Sequence, residues 1–271
     1  MADNRNVLII PFPMAKPILI TGASSGIGYE LARVCAGHRH DLVLVARRGD
    51  RLETLADQLR ANHPIQVWTY TADLTQAQAR LELFEWSQSL GVALYGLVNN
   101  AGFGYQAPLV ETDWDTQNAM VQLNITALTH LTRLYLPGLV AQGQGRILNV
   151  ASTAAFLPGP YMAVYFASKA FVRSFTTAIA TEVQGTGVTA TTLCPGPTES
   201  EFQERAGISG GKMAQGPLPS AADVAAYGYR AMEQGRAIAI YGTTNQALAW
   251  LTRLLPYDGL ARVMKNLQED G

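Results

Sequence analysis

The fold is decided by the stretch Ile18-Leu19-Ile20-Thr21-Gly22-Ala23-Ser24-Ser25-Gly26-Ile27-Gly28, close to the start of the chain. A short apolar run leads directly into a glycine-rich turn, and a helical pattern follows. Glycine permits the tight turn and a close backbone approach to a pyrophosphate, and the helix N-terminus offers free N–H groups to the anion. The stretch therefore predicts a dinucleotide-binding loop with contacts from Gly22, Ser24, Ser25, Gly26, Ile27 and Gly28.

The rest of the chain alternates between short apolar runs and longer stretches of helical periodicity. Runs rich in Val, Ile and Leu predict strands at 18–20, 41–46, 65–71, 94–99, 146–151, 188–194 and 237–241. Helices are predicted at 26–38, 50–62, 75–90, 113–136, 163–184 and 220–234. Apolar runs without polar alternation are typical of strands covered on both faces. The alternation predicts a single Rossmann-type, doubly wound α/β domain with about seven parallel strands and helices on both faces.

Composition and charge limit the function classes. Of 271 residues, 48% are apolar and 15% charged, which suits a sizeable core. The balance of 20 Lys and Arg against 21 Asp and Glu gives no basic surplus for nucleic acid. Two cysteines are too few for a disulfide framework, and the four histidines lack ligand spacing, so no metal site is predicted. Without a signal peptide or membrane span pattern, a cytoplasmic protein is expected.

Three segments are predicted along the chain. Residues 1–16 are interpreted as an N-terminal extension, because the sequence from Met14 reads like a complete start. Residues 17–244 would form the cofactor-binding domain with the catalytic site. Residues 245–271 would form an apolar helical tail, with leucines at helical spacing that Pro256 interrupts. This tail can dock on the body, line a subunit contact or touch a membrane surface.

The end of the second predicted strand indicates which dinucleotide is bound. An NAD site usually places Asp or Glu there to accept hydrogen bonds from the ribose hydroxyls. This chain has Ala46-Arg47-Arg48 instead. Arg47, with Arg48 beside it, can pair with a 2′-phosphate, so NADP(H) is predicted over NAD(H). A solvated pair of arginines at a strand end is the alternative.

Asp73 follows the third predicted strand in Ala72-Asp73-Leu74. Its carboxylate can accept a hydrogen bond from the adenine amino group of the cofactor. It can equally cap the helix expected to begin near Thr75. The two roles are compatible, and both stay open at this point.

Tyr165 and Lys169 stand four residues apart in a predicted helix, so they share one face of it. A phenol ordinarily titrates near pH ~10, and a neighbouring cation lowers its pKa. The pair therefore predicts proton exchange by Tyr165 at neutral pH. Ser152 ends the fifth predicted strand 13 residues before Tyr165, at the edge where this architecture places its ligands. Its hydroxyl can donate to a substrate carbonyl oxygen; a structural loop serine is the alternative.

Taken together, these motifs resemble the short-chain dehydrogenase/reductases of the compact single-domain type. The resemblance covers about 17–242 and rests on the order and spacing of several motifs. These are the glycine loop at 21–28, Asn99-Asn100-Ala101-Gly102, Asn124, Ser152, Tyr165, Lys169 and Pro195-Gly196.

The resemblance implies a role for each catalytic residue. Tyr165 would protonate the developing alkoxide during reduction and act as the base in the reverse direction. Ser152 would hold the substrate oxygen and stabilise its growing charge. Lys169 would lower the pKa of Tyr165 and bind the ribose hydroxyls. Asn124 would hold a water that links Lys169 to solvent; a helix-interior amide bonded to a carbonyl is the alternative.

The resemblance also implies cofactor contacts outside the glycine loop, and an assembly. The turn containing Asn100, Ala101 and Gly102 would lie beside the adenine ribose. Pro195, Gly196 and Thr198 would lie near the nicotinamide, with Thr198 bonding its carboxamide. A homodimer or homotetramer is expected because the family usually pairs through its long helices.

The segments around the catalytic motifs predict a mostly apolar pocket. The expected lining residues are Phe103, Tyr105, Phe156, Leu157, Tyr161 and Met162. No arginine cluster accompanies them, so the expected substrate is a neutral hydrophobic ketone or aldehyde, or the corresponding alcohol. The glycine-rich segment 199–217 is interpreted as a mobile lid, with a plain flexible loop as the alternative.

Two other functions compete with an NADP-dependent carbonyl reductase. A catalytically silent, NADP-binding regulatory protein of the same fold should show a damaged catalytic set, and this set is intact. A nucleotide-sugar epimerase or dehydratase would use a differently spaced glycine loop and a larger substrate domain, for which the chain has no room.

Overall fold

The computed structural model describes residues 16–207, 218–252 and 254–269. The proposed N-terminal extension, apart from Lys16, and residues 208–217 of the proposed lid lie outside these ranges. The sheet and the catalytic motifs lie entirely within them.

Seven parallel strands form one sheet in the order β3-β2-β1-β4-β5-β6-β7. The strands are β1 (Ile18–Thr21), β2 (Leu42–Ala46), β3 (Val67–Thr71), β4 (Gly96–Asn99), β5 (Gly145–Val150), β6 (Val188–Cys194) and β7 (Ile238–Ile240). Each predicted strand is present within one to two residues at either end. The doubly wound Rossmann-type sheet is therefore confirmed.

Helices cover both faces of the sheet. They are α1 (Gly26–Gly37), α2 (Gly49–Asn62), α3 (Ala77–Ser89), α4 (Trp114–Val121), α5 (Leu128–Ala141), α6 (Ala163–Glu182), α7 (Phe202–Arg205), α8 (Ala221–Glu233), α9 (Thr243–Leu251) and α10 (Tyr257–Glu269). Within the described ranges, no helix has both the length and the apolar character needed to cross a bilayer.

The helix predicted at 113–136 is wrong in two respects. A π-helical segment, Gln122–Ala127, separates α4 from α5, and a π turn widens the helix locally. The helix also continues through Pro137 to Ala141, although proline disfavours a helix interior. Leu139, just beyond the proline, is almost fully buried in the core, and this packing favours continuation of the helix.

Alternate residues of each central strand enter different cores. Ile20 and Leu44 belong to the cluster on the side of α1, α2 and α8. Leu19 and Val43 belong to the cluster on the opposite side. Because both faces are buried, every residue of β1 and β2 is apolar or, at Thr21, bonded to its neighbours. This double burial explains the unbroken apolar runs of the sequence.

The winding reverses between β1 and β4, which are direct neighbours in the sheet. Connections after these two strands leave toward opposite faces, and such a switch point opens a crevice at the carboxyl ends of the strands. The Thr21 hydroxyl accepts hydrogen bonds from the backbone N–H groups of Asn100 and Ala101, both at 3.0 Å. It donates to the carbonyl of Val98 at 3.3 Å, so it joins the two loops that flank the crevice.

Candidate active site

A cavity of about 730 Å³ lies in this crevice. The phosphate loop, the turn after β4, the end of β5, α6 and the segment after β6 contribute its walls. Its volume lies within the range of small-molecule and cofactor sites. Every predicted catalytic or cofactor residue except Asn124 and Gly28 lines it.

At Gly22 and Gly28 the phosphate loop approaches the neighbouring turn too closely for a side chain. Gly22 has a φ of +68°, which favours glycine. A Cβ on Gly28 would lie 2.3 Å from Asn100 Nδ2 and 2.4 Å from the Gly22 carbonyl oxygen. The first turn of α1 has no side-chain cap from its N-cap residue, Ser25. Its N–H groups and the glycine turn thus fit a pyrophosphate at this position.

The two arginines after β2 have different surroundings. Arg47 is exposed at the cavity wall, and its guanidinium has no partner among the described residues. Arg48 folds back onto the phosphate loop, where it donates to Ser24 Oγ at 3.1 Å and Ser25 Oγ at 2.8 Å. The sequence grouped them as one possible phosphate site, but only Arg47 is available for a ligand.

Asp73 forms a local turn at the edge of the cavity. Its Oδ1 accepts from the backbone N–H of Thr75 at 3.0 Å and from the Thr75 hydroxyl at 2.9 Å. The helix begins only at Ala77, so Asp73 stabilises the approach to α3 rather than capping it directly. The exposed carboxylate also lines the cavity, and contact with an adenine stays a prediction.

Ser152, Tyr165 and Lys169 converge at the floor of the cavity. Helical spacing on α6 brings the Lys169 ammonium to 5.6 Å from the centre of the Tyr165 ring. Lys169 Nζ donates to the carbonyl of Val150 at 3.0 Å, which fixes it against the end of β5. Ser152 Oγ accepts from the N–H of Ala154 at 3.1 Å, and its proton can be directed elsewhere.

Burial dominates the electrostatics of this group. It raises the pKa of Tyr165 to about 12, although hydrogen bonding by Ser152 acts in the opposite direction. It lowers the pKa of Lys169 to about 8, because desolvation disfavours both charged forms. The expectation of a lowered Tyr165 pKa is therefore wrong, since the loss of water on burial outweighs the hydrogen bond with Ser152.

Asn124 lies in the π-helical segment and hydrogen-bonds both the loop at Phe103 and helix α6 at Ser168. Its Nδ2 donates to the carbonyl of Phe103 at 2.9 Å and to Ser168 Oγ at 3.0 Å. Its Oδ1 accepts from the N–H of Phe103 at 3.1 Å. Both amide protons are used, so the structure favours the alternative role, an amide bonded to a carbonyl, for this side chain.

The turn after β6 forms the opposite wall. Thr198 Oγ1 donates to the carbonyl of Gly196 at 2.9 Å, and Thr198 is buried. A Cβ on Gly196 would lie 2.5 Å from Asn245 Nδ2, at the start of α9. Pro195, Gly196, Thr198 and Asn245 all line the cavity. The sequence offered no signal for Asn245, because its approach depends on how α9 packs.

The apolar end of the cavity differs from the prediction. Phe103, Leu157 and Met162 line it as expected. Phe156 instead packs in a separate cluster, and Tyr105 and Tyr161 border a smaller neighbouring depression. The missing apolar surface comes from residues that were assigned elsewhere or overlooked: Phe202, Leu248 and Leu267.

The C-terminal helix α10 provides part of this wall. Leu260 and Met264 are buried, and Leu267 packs beside them, in the cluster that contains Tyr165 and Met162. Spacings of four and three residues place all three on one helical face. Of the three possibilities for the tail, docking on the body of the protein is therefore the one observed for this face of α10. Several other apolar residues of the tail are exposed, among them Trp250, Leu251, Leu254 and Val263.

Comparisons with known proteins identify the family of this chain. The short chain dehydrogenase family model matches residues 16–208. Sulfoacetaldehyde reductase 2 of Chromohalobacter salexigens is 37% identical over 191 residues, which are 70% of this chain and 75% of that protein. D-beta-hydroxybutyrate dehydrogenase of Cupriavidus necator is 34% identical over 181 residues, 67% of this chain and 70% of that protein.

Solved structures with the same fold include both types of nicotinamide complex. A short-chain dehydrogenase from Sphingobium yanoikuyae with NADPH has a TM-score of 0.79 at 30% identity, covering 88% of this chain and 94% of its own. A Burkholderia phymatum family member with NAD also has a TM-score of 0.79, at 25% identity, covering 88% and 92%. The chain belongs to the short-chain dehydrogenase/reductase superfamily and is an oxidoreductase with a nicotinamide cofactor.

Proposed function

We propose that this protein reduces a neutral, hydrophobic ketone or aldehyde with NADPH, and catalyses the reverse oxidation. The observation that carries the proposal is the convergence of Ser152, Tyr165 and Lys169 at the floor of one cavity. A silent regulatory protein of the same fold has no need of a buried phenol and a buried ammonium in contact with a ligand site.

The bound nicotinamide supplies the hydride, and the chain handles the proton and the developing charge. Tyr165 donates its phenolic proton to the carbonyl oxygen of the substrate. Ser152 donates a hydrogen bond to the same oxygen and stabilises it as negative charge grows. The raised pKa of Tyr165, about 12, keeps the phenol protonated at neutral pH, which suits its role as the acid in reduction.

Lys169 supports this transfer as a fixed, buried cation. Its bond to the Val150 carbonyl holds the ammonium on the cavity side of α6, near the phenol. There it stabilises the phenolate that forms when Tyr165 gives up its proton. The remaining ammonium protons can bind ribose hydroxyls. Asn124 positions Phe103 and Ser168 around this pair.

Arg47 is the basis for proposing NADP(H) over NAD(H). Ala46 offers no acceptor for ribose hydroxyls, and the Arg47 guanidinium at the cavity wall is bound to none of the described side chains. A guanidinium can bind a phosphate through paired, charge-assisted hydrogen bonds. The adenine end would lie beside Asp73 and the turn Asn100–Gly102, and the nicotinamide end beside Thr198. Ser24 and Gly26 belong to the pyrophosphate loop between them.

The substrate end of the cavity is apolar and carries little net charge. Phe103, Met162, Phe202 and Leu267 line it, and such surfaces favour hydrophobic ligands. Arg205 also lines the cavity, but its guanidinium is bound to a carboxylate at 2.7 Å. This pairing supports a neutral substrate. A similar structure, 26% identical, is described as a bulky-bulky ketone specific alcohol dehydrogenase from Comamonas testosteroni.

A short anionic carbonyl compound is the second candidate substrate. Relatives named for sulfoacetaldehyde and hydroxybutyrate favour it. NADPH oxidation measured with cyclic and aryl ketones against sulfoacetaldehyde and acetoacetate separates the two. Preference for the anionic compounds would contradict the first proposal.

The remaining predictions concern the whole protein. Members of this superfamily are commonly oligomeric, and we propose a homodimer or homotetramer. A cytoplasmic location stays a prediction, as does the division at residues 16 and 244. Contact of the exposed part of the tail with a membrane surface also stays a prediction.

Replacing Tyr165 by Phe should abolish ketone reduction, because the variant keeps the ring and loses the proton donor. We expect kcat to fall by about 100-fold or more. NADPH affinity, measured by quenching of protein fluorescence, should stay within about two-fold, since the phenol is one contact among many. The replacement Tyr257→Phe, at an exposed position outside the cavity, serves as control. Substantial residual turnover in Tyr165→Phe would contradict the mechanism.

Replacing Arg47 by Ala should reduce the preference for NADPH over NADH. Loss of a charge-assisted phosphate contact corresponds to about 10- to 100-fold in kcat/KM for NADPH. The value for NADH should change little. Arg33→Ala, at an exposed position of α1 away from the cavity, is the control. An unchanged NADPH-to-NADH ratio in Arg47→Ala would refute the cofactor assignment.

The pH profile of reduction should show an alkaline limb that reports Lys169. The pKa of about 8 means that the ammonium is charged below this pH and loses its proton above it. We expect kcat/KM for NADPH, which reports the free enzyme, to fall as pH rises through about 8. In Lys169→Arg the guanidinium stays charged, so the limb should disappear although activity is lower. An alkaline limb that persists in Lys169→Arg would show that another ionisable group causes it and would contradict the assignment to Lys169.

Replacing Leu267 by Ala should enlarge the substrate end of the cavity. Activity should shift from small ketones toward bulkier ones, with a change of about 10-fold in the ratio of their kcat/KM values. Val263→Ala is a matched control, since Val263 is an exposed residue of the same helix. An identical size profile in Leu267→Ala and wild type would show that α10 does not contact the substrate.

A further inference from the structure

Three arginines and one carboxylate meet where the phosphate loop, the start of α2 and the segment after β6 come together. Glu201 accepts hydrogen bonds from Arg48, at 2.9 Å, from Arg205, at 2.7 Å, and from Arg51. The hydrogen bonds from Arg51 and Arg48 hold the pKa of Glu201 at about 2, so the carboxylate is ionised throughout the working pH range.

Arg48 links Glu201 to the phosphate loop. Its Nε and Nη2 donate to Ser24 Oγ, Nη2 also donates to Ser25 Oγ, and Nη1 donates to Glu201. Each of its nitrogen atoms is thereby engaged, which leaves Arg48 as a connector rather than a ligand for phosphate. The phosphate loop and the segment after β6 also lie close together, since a Cβ on Gly26 would lie 3.3 Å from Ser200 Cβ.

Glu201 is followed in the chain by Phe202, which forms part of the substrate wall. The Phe202 ring lies 5.3 Å from the Tyr165 ring, centre to centre, with the planes tilted by 45°. A Cβ on Gly104 would lie 2.9 Å from Phe202 Cζ and 3.1 Å from Tyr165 Cδ2. This close packing places the aromatic ring beside the residue that donates the proton.

We propose that Glu201 is a positioning residue that couples the phosphate end of the cofactor site to the substrate wall. Its carboxylate connects Arg48, and through it Ser24 and Ser25, to the short segment that carries Phe202. When this connection is present, the phosphate loop and the substrate wall are fixed relative to each other on the two sides of the cofactor site. When it is absent, both ends loosen together. The inference rests on the nicotinamide site of the proposed function, but not on the identity of the ketone.

The test is Glu201→Gln, which keeps the shape of the side chain and removes its charge. Dissociation of NADPH from the binary complex, followed by stopped-flow fluorescence, should be about five-fold faster than in wild type, as expected for the loss of a partly exposed ionic network. KM for the ketone should rise by a similar factor. The value of kcat should not fall, because Ser152, Tyr165 and Lys169 do not contact Glu201. Glu201→Asp, which retains the charge, should restore both quantities in part.

Glu204→Gln is the matched control on the same short helix. The Glu204 carboxylate is exposed and pairs with no described residue, so this variant should behave as wild type. If Glu201→Gln and Glu204→Gln show the same NADPH dissociation rate and the same KM, the proposal is overturned. It is also overturned if Glu201→Gln lowers kcat alone, since that pattern indicates general damage to the catalytic group.

A second variant separates the two ends of the connection. Phe202→Leu should raise KM for the ketone without changing NADPH dissociation, because the ionic network stays intact. An unchanged KM in this variant would overturn the link to the substrate wall. The dissociation measurement uses no ketone and no turnover. A protein that reduces no ketone would therefore contradict the proposed function. The NADPH dissociation rates of the variants would still test the role of Glu201.

Discussion

The hydroxyl group of Thr21 holds together the two loops between which the cavity opens. It accepts from two successive backbone N–H groups of the turn after β4 and donates to the Val98 carbonyl. Asn100 completes the connection, since its Nδ2 donates to the carbonyls of Thr21 and Gly22 at 3.0 and 3.2 Å. These groups are buried or half-buried, where unpaired polar atoms are costly. The bonds therefore fix the distance between the loops.

This fixed distance explains why the phosphate loop needs its glycines. Any Cβ at Gly28 would collide with the Asn100 amide and the Gly22 carbonyl. A larger residue would push the two loops apart and break the bonds to Thr21. The crevice then loses the shape that suits a pyrophosphate at the start of α1. Backbone conformation, close packing and ligand fit thus depend on the same few contacts.

Burial is the second constraint on the site, and it acts against the charges that the chemistry uses. Tyr165 and Lys169 are both removed from water, so the neutral phenol and the neutral amine are favoured relative to an exposed pair. A neutral phenol is ready to donate a proton, whereas a phenolate needs stabilisation from its surroundings. The Lys169 ammonium, fixed by the Val150 carbonyl, and the Ser152 hydroxyl are the groups placed to supply it.

The sequence by itself determined the features that depend on near neighbours along the chain. Strands such as β1 and β2 follow from apolar runs, the phosphate loop from its glycines, and the Tyr165–Lys169 pair from helical spacing. Only the tertiary structure decided that Arg48 is engaged by Glu201, 153 residues away, and that Leu267 of α10 closes the substrate end. It also reversed the expected shift in the Tyr165 pKa. These outcomes depend on contacts through space and on loss of water, and neither leaves a periodic signal in the sequence.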